Sequence, residues 1–205
     1  MRTLILAMAV AAAPAAQAAT VNATIPAGGL VAITFELGGG ATFLDLTTNG
    51  STYAGAGGAS DTVIGLFGGA GPGAALLASD DDDGVMGRSF LSFGAPGRAT
   101  PPGVAAGFFD TGTFAPDGTA PGAGTYTLVV SGFPAPFAPG VTLGALGSSG
   151  EEQVIELVLT IDTDGELAVG SPAAVVPIPL PATGALLGGL LALIGAGRML
   201  GRRNT

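Results

Sequence analysis

The sequence predicts an all-β protein whose main part is an antiparallel, jelly-roll-like β-sandwich. Short apolar runs recur along the chain, several of them with the period-two alternation of half-buried strands. Turn residues separate these runs, and the 205 residues include 37 Gly and 15 Pro. No segment between them has the periodicity of an amphipathic helix. Because hydrophobic residues make up 48 % of the chain, this Gly-rich composition is compatible with a packed core rather than with disorder.

Eight segments satisfy the strand pattern. In the first, Ile33, Phe35 and Leu37 fall on one face. Asp164-Gly165 is typical of a two-residue type I′ turn, so it predicts that the last two strands form a hairpin with a polar rim of Asp162, Asp164 and Glu166. Residues 94–121 are rich in Gly and Pro without clear periodicity and are expected to form either a long loop or a poorly ordered insertion. The predicted strands are 30–37, 42–47, 61–67, 75–79, 90–93, 126–131, 154–162 and 166–169.

The first 18 residues have the three parts of a secretory signal peptide. Arg2 supplies the positive charge, residues 4–13 are apolar, and Ala16-Gln17-Ala18 places small side chains at the positions that signal peptidase requires. We therefore expect cleavage after Ala18 and an exported ectodomain over residues 19–170.

The C-terminal part predicts a membrane-spanning helix. Residues 182–197 carry no charge and would measure about 24 Å as a helix, slightly less than the ~30 Å hydrocarbon core. A Pro-rich linker, 171–181, precedes this run. Arg198, Arg202 and Arg203 follow it and would hold a basic tail, 198–205, in the cytoplasm by the positive-inside rule.

The junction between linker and helix reads Val176-Pro177-Ile178-Pro179-Leu180-Pro181-Ala182. This motif resembles the PEP-CTERM class of sorting signals in its VPLPA-type variant, although Ile178 stands where that motif usually has Val. The resemblance implies recognition by an exosortase in a Gram-negative bacterium that makes extracellular polysaccharide. It also implies a protein that is anchored in the inner membrane before processing and then lies at the cell surface or outside the cell. The residues that carry it are Val176, Pro177, Ile178, Pro179, Leu180, Pro181 and Ala182.

A second resemblance overlaps the first. Leu180-Pro181-Ala182-Thr183-Gly184 matches the LPxTG signal of Gram-positive sortases, which implies a wall-linked surface protein or adhesin. The spacer before this motif is short for a chain that must cross a cell wall, and the signal peptide carries a single basic residue. We therefore favour the exosortase and keep the sortase as the alternative.

The acidic segment 80–83 lies in the second of three sequence blocks, which are Ser60 to Phe67, Ala75 to Gly84 and Gly124 to Phe133. These blocks and their order resemble the bacterial pre-peptidase C-terminal (PPC) domain. Consecutive carboxylates repel one another unless a hard cation such as Ca²⁺ neutralises them. The resemblance implies calcium ligands among Asp61, Asp80, Asp81, Asp82 and Asp83, whereas the favoured alternative is a solvated turn that protects a sheet edge from aggregation.

Composition restricts the function. The chain has no His and no Cys, and its six basic residues are all Arg, which removes the usual nucleophiles, general bases and zinc ligands. The formal net charge of −9 disfavours nucleic acid as a partner. The sequence therefore predicts a surface or matrix protein without catalysis, associated with exopolysaccharide. A hydrolase that works through paired carboxylates is the enzymatic alternative, and no such pair is evident in the sequence.

Overall fold

The computed structural model describes residues 16–94 and 121–175. These residues form two antiparallel sheets, which confirms the predicted all-β class, and the strands are joined by turns, loops and one short 3-10 helix, Leu143–Ala145. The strands are β1 Gln17–Ile25, β2 Leu30–Leu37, β3 Phe43–Thr47, β4 Thr52–Tyr53, β5 Thr62–Phe67, β6 Leu76–Asp80, β7 Phe90–Gly94, β8 Gly124–Gly132, β9 Ile155–Thr163, β10 Leu167–Val169 and β11 Ala173–Val175.

Successive strands along the chain belong to the two sheets almost in alternation. Sheet A has the order β1-β9-β3-β7, with β4 added to β9. Sheet B has the order β10-β2-β8-β5-β6, with β11 added to β2. Every pairing in both sheets is antiparallel.

The main core lies where alternate side chains of both sheets meet. In β2, Ile33, Phe35 and Leu37 are buried, as the alternation predicts, and in β9 the buried residues also alternate with more exposed ones. A second, smaller cluster lies on the other face of sheet B, under the segment 133–154. It explains why all six residues of β5 are buried. This second cluster comprises Leu30, Phe67, Ala74, Val129 and Leu146.

Three strands have no counterpart among the eight predicted segments: β1, β4 and β11. Strand β1 pairs with β9 over its whole length, from Gln17 opposite Thr163 to Ile25 opposite Ile155. Its first two residues belong to the predicted signal peptide, so cleavage after Ala18 would shorten this strand at one end. Strand β11 lies within the predicted linker and pairs with β2.

The predicted hairpin at Asp164-Gly165 is wrong. Strand β9 belongs to sheet A, whereas β10 pairs with β2 in sheet B, so these residues carry the chain from one sheet to the other. Gly165 is not among the glycines with positive φ, which a type I′ turn would need. A Cβ on Gly165 would lie 2.8 Å from the Cβ of Ala41, so the glycine allows the close approach of the β2–β3 loop.

The strand registers place four loops at the same end of the sandwich. Ser131, near the end of β8, lies opposite both Leu30 and Val63, which are near the starts of β2 and β5. The loops at this end, which we call the acidic end, are 26–29, 81–89, the segment 48–61 that includes β4, and the two ends of the segment 133–154. The middle of that last segment reaches the β5–β6 turn at the opposite end, where the N–H of Gly144 donates to the carbonyl of Pro72. Strand β11 also ends here, because Val175 lies opposite Leu30.

Candidate functional site: the acidic end of the sandwich

Residues 80–88, which connect β6 to β7, form a turn that we call the acidic turn. The side chain of Asp80 binds this turn to sheet A. Its Oδ2 accepts a 2.7 Å hydrogen bond from the N–H of Phe90 in β7 and a 3.3 Å bond from the N–H of Asp83. Because β6 and β7 belong to different sheets, this side chain links the two layers at their edge. Burial raises the pKa of Asp80 to about 7, even though the bond from Phe90 opposes the rise, and the charge of Asp83 adds to it.

The rest of the turn is held by bonds to the backbone. The N–H of Gly84 donates to the carbonyl of Arg88 at 2.6 Å, and the Asn49 side chain accepts from the N–H of Val85 at 2.9 Å. Arg88 points back into the protein and donates from Nε to the carbonyl of Ser51 at 2.8 Å. The turn is therefore a defined structure rather than a loose acidic loop. Its tip is Met86, which has φ +61 and is 76 % exposed.

A buried layer of hydroxyl groups supports the turn from below. Thr48 and Thr62 share a 2.6 Å hydrogen bond between their Oγ1 atoms. The N–H of Ser89 donates to both hydroxyls, at 3.0 and 3.3 Å, and the Ser89 hydroxyl donates to the Thr62 carbonyl. All three residues are fully buried. This layer joins the ends of β3, β5 and β7 directly beneath residues 81–88.

At the same end of the sandwich, the Tyr53 hydroxyl connects Glu151 with Asp61. This hydroxyl donates to Oε2 of Glu151 at 2.9 Å and accepts from the N–H of Asp61 at 3.1 Å. Burial, reinforced by Glu151, raises the pKa of Tyr53, so the phenol keeps its proton. Burial and the charges of Asp82 and Asp81 raise the pKa of Asp61. The structure therefore brings Asp61 into the electrostatic field of the acidic turn.

These carboxylates do not fit the predicted calcium site. Ca²⁺ takes six to eight oxygen ligands, yet residues 16–94 and 121–175 contain no group of three or more acidic side chains arranged to hold a metal. Oδ2 of Asp80 is already engaged by two N–H groups. Oδ1 of Asp61 is buried and has no hydrogen-bond partner among the described residues. The acidic turn is thus shaped by its own hydrogen bonds, without a preformed cation cage.

A groove of about 430 Å³ lies between the turn and the loop that follows β8. One wall carries the carboxylates and the other carries aromatic and Pro side chains, including Phe133, which is 48 % exposed. Phe137 packs edge-on against Phe67 at 6.2 Å between ring centroids, which ties this wall to the second core cluster. The lining residues are Val63, Ser79, Asp80, Asp81, Asp82, Asp83, Phe133, Pro134, Ala135 and Phe137.

The structure also brings together two carboxylates that sequence analysis did not pair. Asp45 in β3 lies directly opposite Asp162 in β9, and the Ser92 hydroxyl donates to Oδ1 of Asp45 at 2.7 Å. Asp45 is only 4 % exposed, so its carboxylate is closed to a substrate of any size. The pair therefore gives no support to a carboxylate hydrolase. This pair depends on the register between β3 and β9, whose paired residues are more than 100 positions apart in the sequence. No local sequence signal indicates it.

Asp164 and Glu166, predicted as part of a hairpin rim, lie at the opposite end of the sandwich. Asp164 accepts from the N–H of Thr42 at 2.7 Å, from the N–H of Phe43 at 3.3 Å and from the Thr42 hydroxyl. Burial alone would raise the pKa of Asp164, but these hydrogen bonds outweigh it and lower the pKa below the usual value. Asp164 is thus a structural residue of the crossover between the sheets.

The predicted sorting motif, Val176 to Gly184, and the arginines Arg198, Arg202 and Arg203 lie outside the described residues. The same holds for the predicted transmembrane run, 182–197. Within the described ranges, no helix has the length and apolar character needed to cross a membrane. What the structure does establish is that a paired strand, β11, runs up to Val175, the residue immediately before the motif.

Comparison with protein-family models finds no match to this chain, and comparison with curated proteins finds none either. The PEP-CTERM and PPC resemblances therefore remain predictions that rest on the motifs themselves.

Proposed function

We propose that this chain is an exported surface or extracellular-matrix protein without catalysis, whose C-terminal segment is recognised by an exosortase. The signal peptide at one end and the three-part tail (residues 176–205) at the other support export and sorting. The context in which such tails occur supports an association of the ectodomain with exopolysaccharide. The strand order of the two sheets, which is that of a jelly roll, supports a stable binding module rather than a mobile linker.

The observation that carries the choice of enzyme is the end of β11 at Val175. From Val175 to Thr183 the chain has eight residues, which span at most about 29 Å when fully extended. A sortase substrate must place its LPxTG motif at the membrane while its folded domain crosses the wall, and no spacer for that crossing lies between β11 and Thr183. An exosortase at the membrane surface of a Gram-negative cell does not require such a spacer.

The absence of catalysis is supported by the composition and by the burial of Asp45, which lies opposite Asp162. With no His, Cys or Lys in the chain, acid–base chemistry would depend on carboxylates. The pair formed by Asp45 and Asp162 is partly closed by the burial of Asp45. We therefore assign the ectodomain a binding or structural task.

The overlapping motifs can be separated by mutation. Pro177→Ala/Pro179→Ala alters residues that belong only to the VPLPA-type motif, whereas Thr183→Val/Gly184→Ala alters residues that belong only to LPxTG. In the producing bacterium, we expect the first variant to remain unprocessed and the second to be processed normally, as followed by the mass of the mature C-terminus. A mature chain that ends at Thr183 joined to peptidoglycan, and is lost in the second variant, would replace the proposal with the sortase alternative.

Deletion of residues 176–205 tests the anchoring role itself. We expect the truncated protein to be exported and to appear in the medium, because it keeps every strand that the described residues form, the last of which ends at Val175. Retention of the truncated protein at the cell surface would contradict an anchoring role for the tail.

A further inference from the structure

The acidic end faces the direction in which the tail leaves the sandwich. Strand β11 runs antiparallel to β2 and ends at Val175 opposite Leu30, at the same end of the sandwich as the acidic turn. Strands β2, β8 and β5 lie between β11 and β6, from which the acidic turn begins. Ala182, the first residue of the predicted helix, follows Val175 by seven positions, which span at most about 25 Å. While the tail is in the membrane, the acidic end is therefore held close to the membrane surface.

The exposed large apolar side chains of the described residues all belong to loops of this end. The structure exposes four large ones, and each belongs to a loop of the acidic end: Val85 at 38 %, Met86 at 76 %, Phe133 at 48 % and Val154 at 37 %. Val85 and Met86 form the tip of the turn, and Met86 has a positive φ that a residue other than Gly, Asn or Asp seldom adopts. Exposed apolar groups that cluster within a polar rim are typical of a protein interaction surface.

The charge of this surface is strongly negative. It carries Asp61, Asp81, Asp82, Asp83, Glu151 and Glu152, while the carboxyl group of Asp80 is held by the N–H groups of Phe90 and Asp83. Arg88 is the one basic residue in the described part of the chain, and its guanidinium group is turned toward the carbonyls of Ser51 and Val85. A surface of this kind repels anionic lipid headgroups and attracts a basic protein surface.

We propose that the acidic end is a docking surface for a basic, partly apolar protein surface located at the membrane, namely that of the enzyme that processes the tail. The inference rests on the proposed function and adds a second contact to it. The motif supplies the bond to be cut, and the acidic end holds the folded domain against the enzyme during the cut. The groove beside Phe133 accepts the side chain of a basic residue between its acidic and aromatic walls, where a guanidinium or ammonium group meets both a carboxylate and a ring face.

The short segment between Val175 and Ala182 makes such a contact important. Because Val175 is held within about 25 Å of Ala182, the enzyme cannot reach the motif without approaching the acidic end. The contact is thus intramolecular once the motif is bound, and its effective concentration is high. A weak, mainly electrostatic surface is sufficient to change the rate of processing.

Two sets of variants and one matched control test the inference in the producing bacterium. Asp81→Asn/Asp82→Asn removes two charges from the docking surface and also relieves the repulsion between these neighbours. Met86→Asn removes the exposed apolar tip and keeps a residue that tolerates positive φ. Glu36→Gln/Glu166→Gln removes two charges from exposed positions at the opposite end. In each case, removal of the tail is followed by mass after a pulse of synthesis, and the folded state is checked by the melting temperature.

We expect tail removal to slow about tenfold in the double Asp variant and in Met86→Asn, and to stay unchanged in the double Glu variant. Equal rates in all of them, with folded proteins, would overturn the inference and leave the proposed function intact. A wild-type chain whose tail is never removed would overturn the proposed function itself. Binding of the released wild-type protein to vesicles of phosphatidylcholine and phosphatidylglycerol, lost in Met86→Asn, would also overturn the inference, because the membrane would then be the partner.

Discussion

The carboxylate of Asp80 at the end of β6 accepts a 2.7 Å hydrogen bond from the backbone N–H of Phe90 at the start of β7. This bond crosses from sheet B to sheet A, so one side chain of the acidic turn joins the two layers of the sandwich. It lies between the buried hydroxyl layer and the charged surface. The acidic turn therefore has a structural function that is independent of any ligand.

The first prediction concerns the pH dependence that Asp80 introduces. The pKa of Asp80 is about 7 in the folded protein, compared with an ordinary value of 3.8. Between these two pH values the folded protein keeps the proton on Asp80, whereas the unfolded chain loses it. The free energy of unfolding should therefore fall as the pH rises from about 4 to 7. We expect wild-type protein to melt roughly 5 °C higher at pH 5 than at pH 8, which corresponds to about 1 to 2 kcal/mol once solvent screening is allowed for.

Asp80→Asn should remove much of this dependence. The amide oxygen still accepts from Phe90, but the side chain no longer ionises. Glu152→Gln is the matched control, because it removes one charge from an exposed position of the same end without touching β7. If thermal melts of wild-type and Asp80→Asn protein change with pH to the same extent, the assignment of this effect to Asp80 is wrong.

The second prediction concerns the buried hydroxyl layer. Thr62→Val removes the oxygen that bonds Thr48 and accepts from the Ser89 N–H, and it leaves those groups buried with fewer partners. We expect the free energy of unfolding to fall by about 1 to 3 kcal/mol. Urea denaturation measures it, and Thr20→Val at an exposed position of β1 is the control. A loss no larger than that of Thr20→Val would mean that these hydroxyl bonds add nothing to stability.

The third prediction concerns the crossover at Asp164. Asp164→Ala removes the acceptor for Thr42 and Phe43, which should cost about 1 to 3 kcal/mol at pH 7. Because the pKa of Asp164 is lowered below 3.8 in the folded state, this contribution is present above pH 3.8 and is lost as the pH falls through the folded-state value. The difference in stability between wild type and variant should therefore shrink in acid. A difference that is constant from pH 7 to pH 3 would contradict the assignment.

The central strands were predictable because their signal is local. Residues 30–37 alternate between apolar and polar positions, and β2 has the same bounds. β1 was not predictable in this way. Its sequence is rich in Ala and includes Asn, and it forms a strand because the edge of β9 pairs with it along nine residues. β11 likewise depends on β2 rather than on its own three residues.

The charged residues of the candidate site could be predicted from the sequence, but the hydrogen bonds that join them to distant residues could not. The run of carboxylates is visible in the sequence, whereas Asp61 was connected to it only through the resemblance to the PPC domain. The link from Tyr53 to Glu151 joins residues 98 positions apart, and no local signal indicates it. Asp164-Gly165 shows the same limit, since its sequence is equally typical of a hairpin. The contacts of Thr42 with Asp164 and of Ala41 with Gly165 make it a crossover.

The last prediction concerns calcium. A site with a Kd of about 10 µM would stabilise the folded protein by about 2.7 kcal/mol at 1 mM Ca²⁺, which is a rise of several degrees in melting temperature. We expect neither such a rise nor a binding heat in calorimetric titration of the purified protein. The reason is that Oδ2 of Asp80 is committed to the N–H groups of Phe90 and Asp83, and that the described residues hold no cluster of acidic side chains suited to a metal. Mg²⁺ at the same concentration controls for general screening of the acidic end. Stabilisation by Ca²⁺ but not by Mg²⁺, abolished in Asp81→Asn/Asp82→Asn, would instead show that the turn exchanges its own hydrogen bonds for a cation.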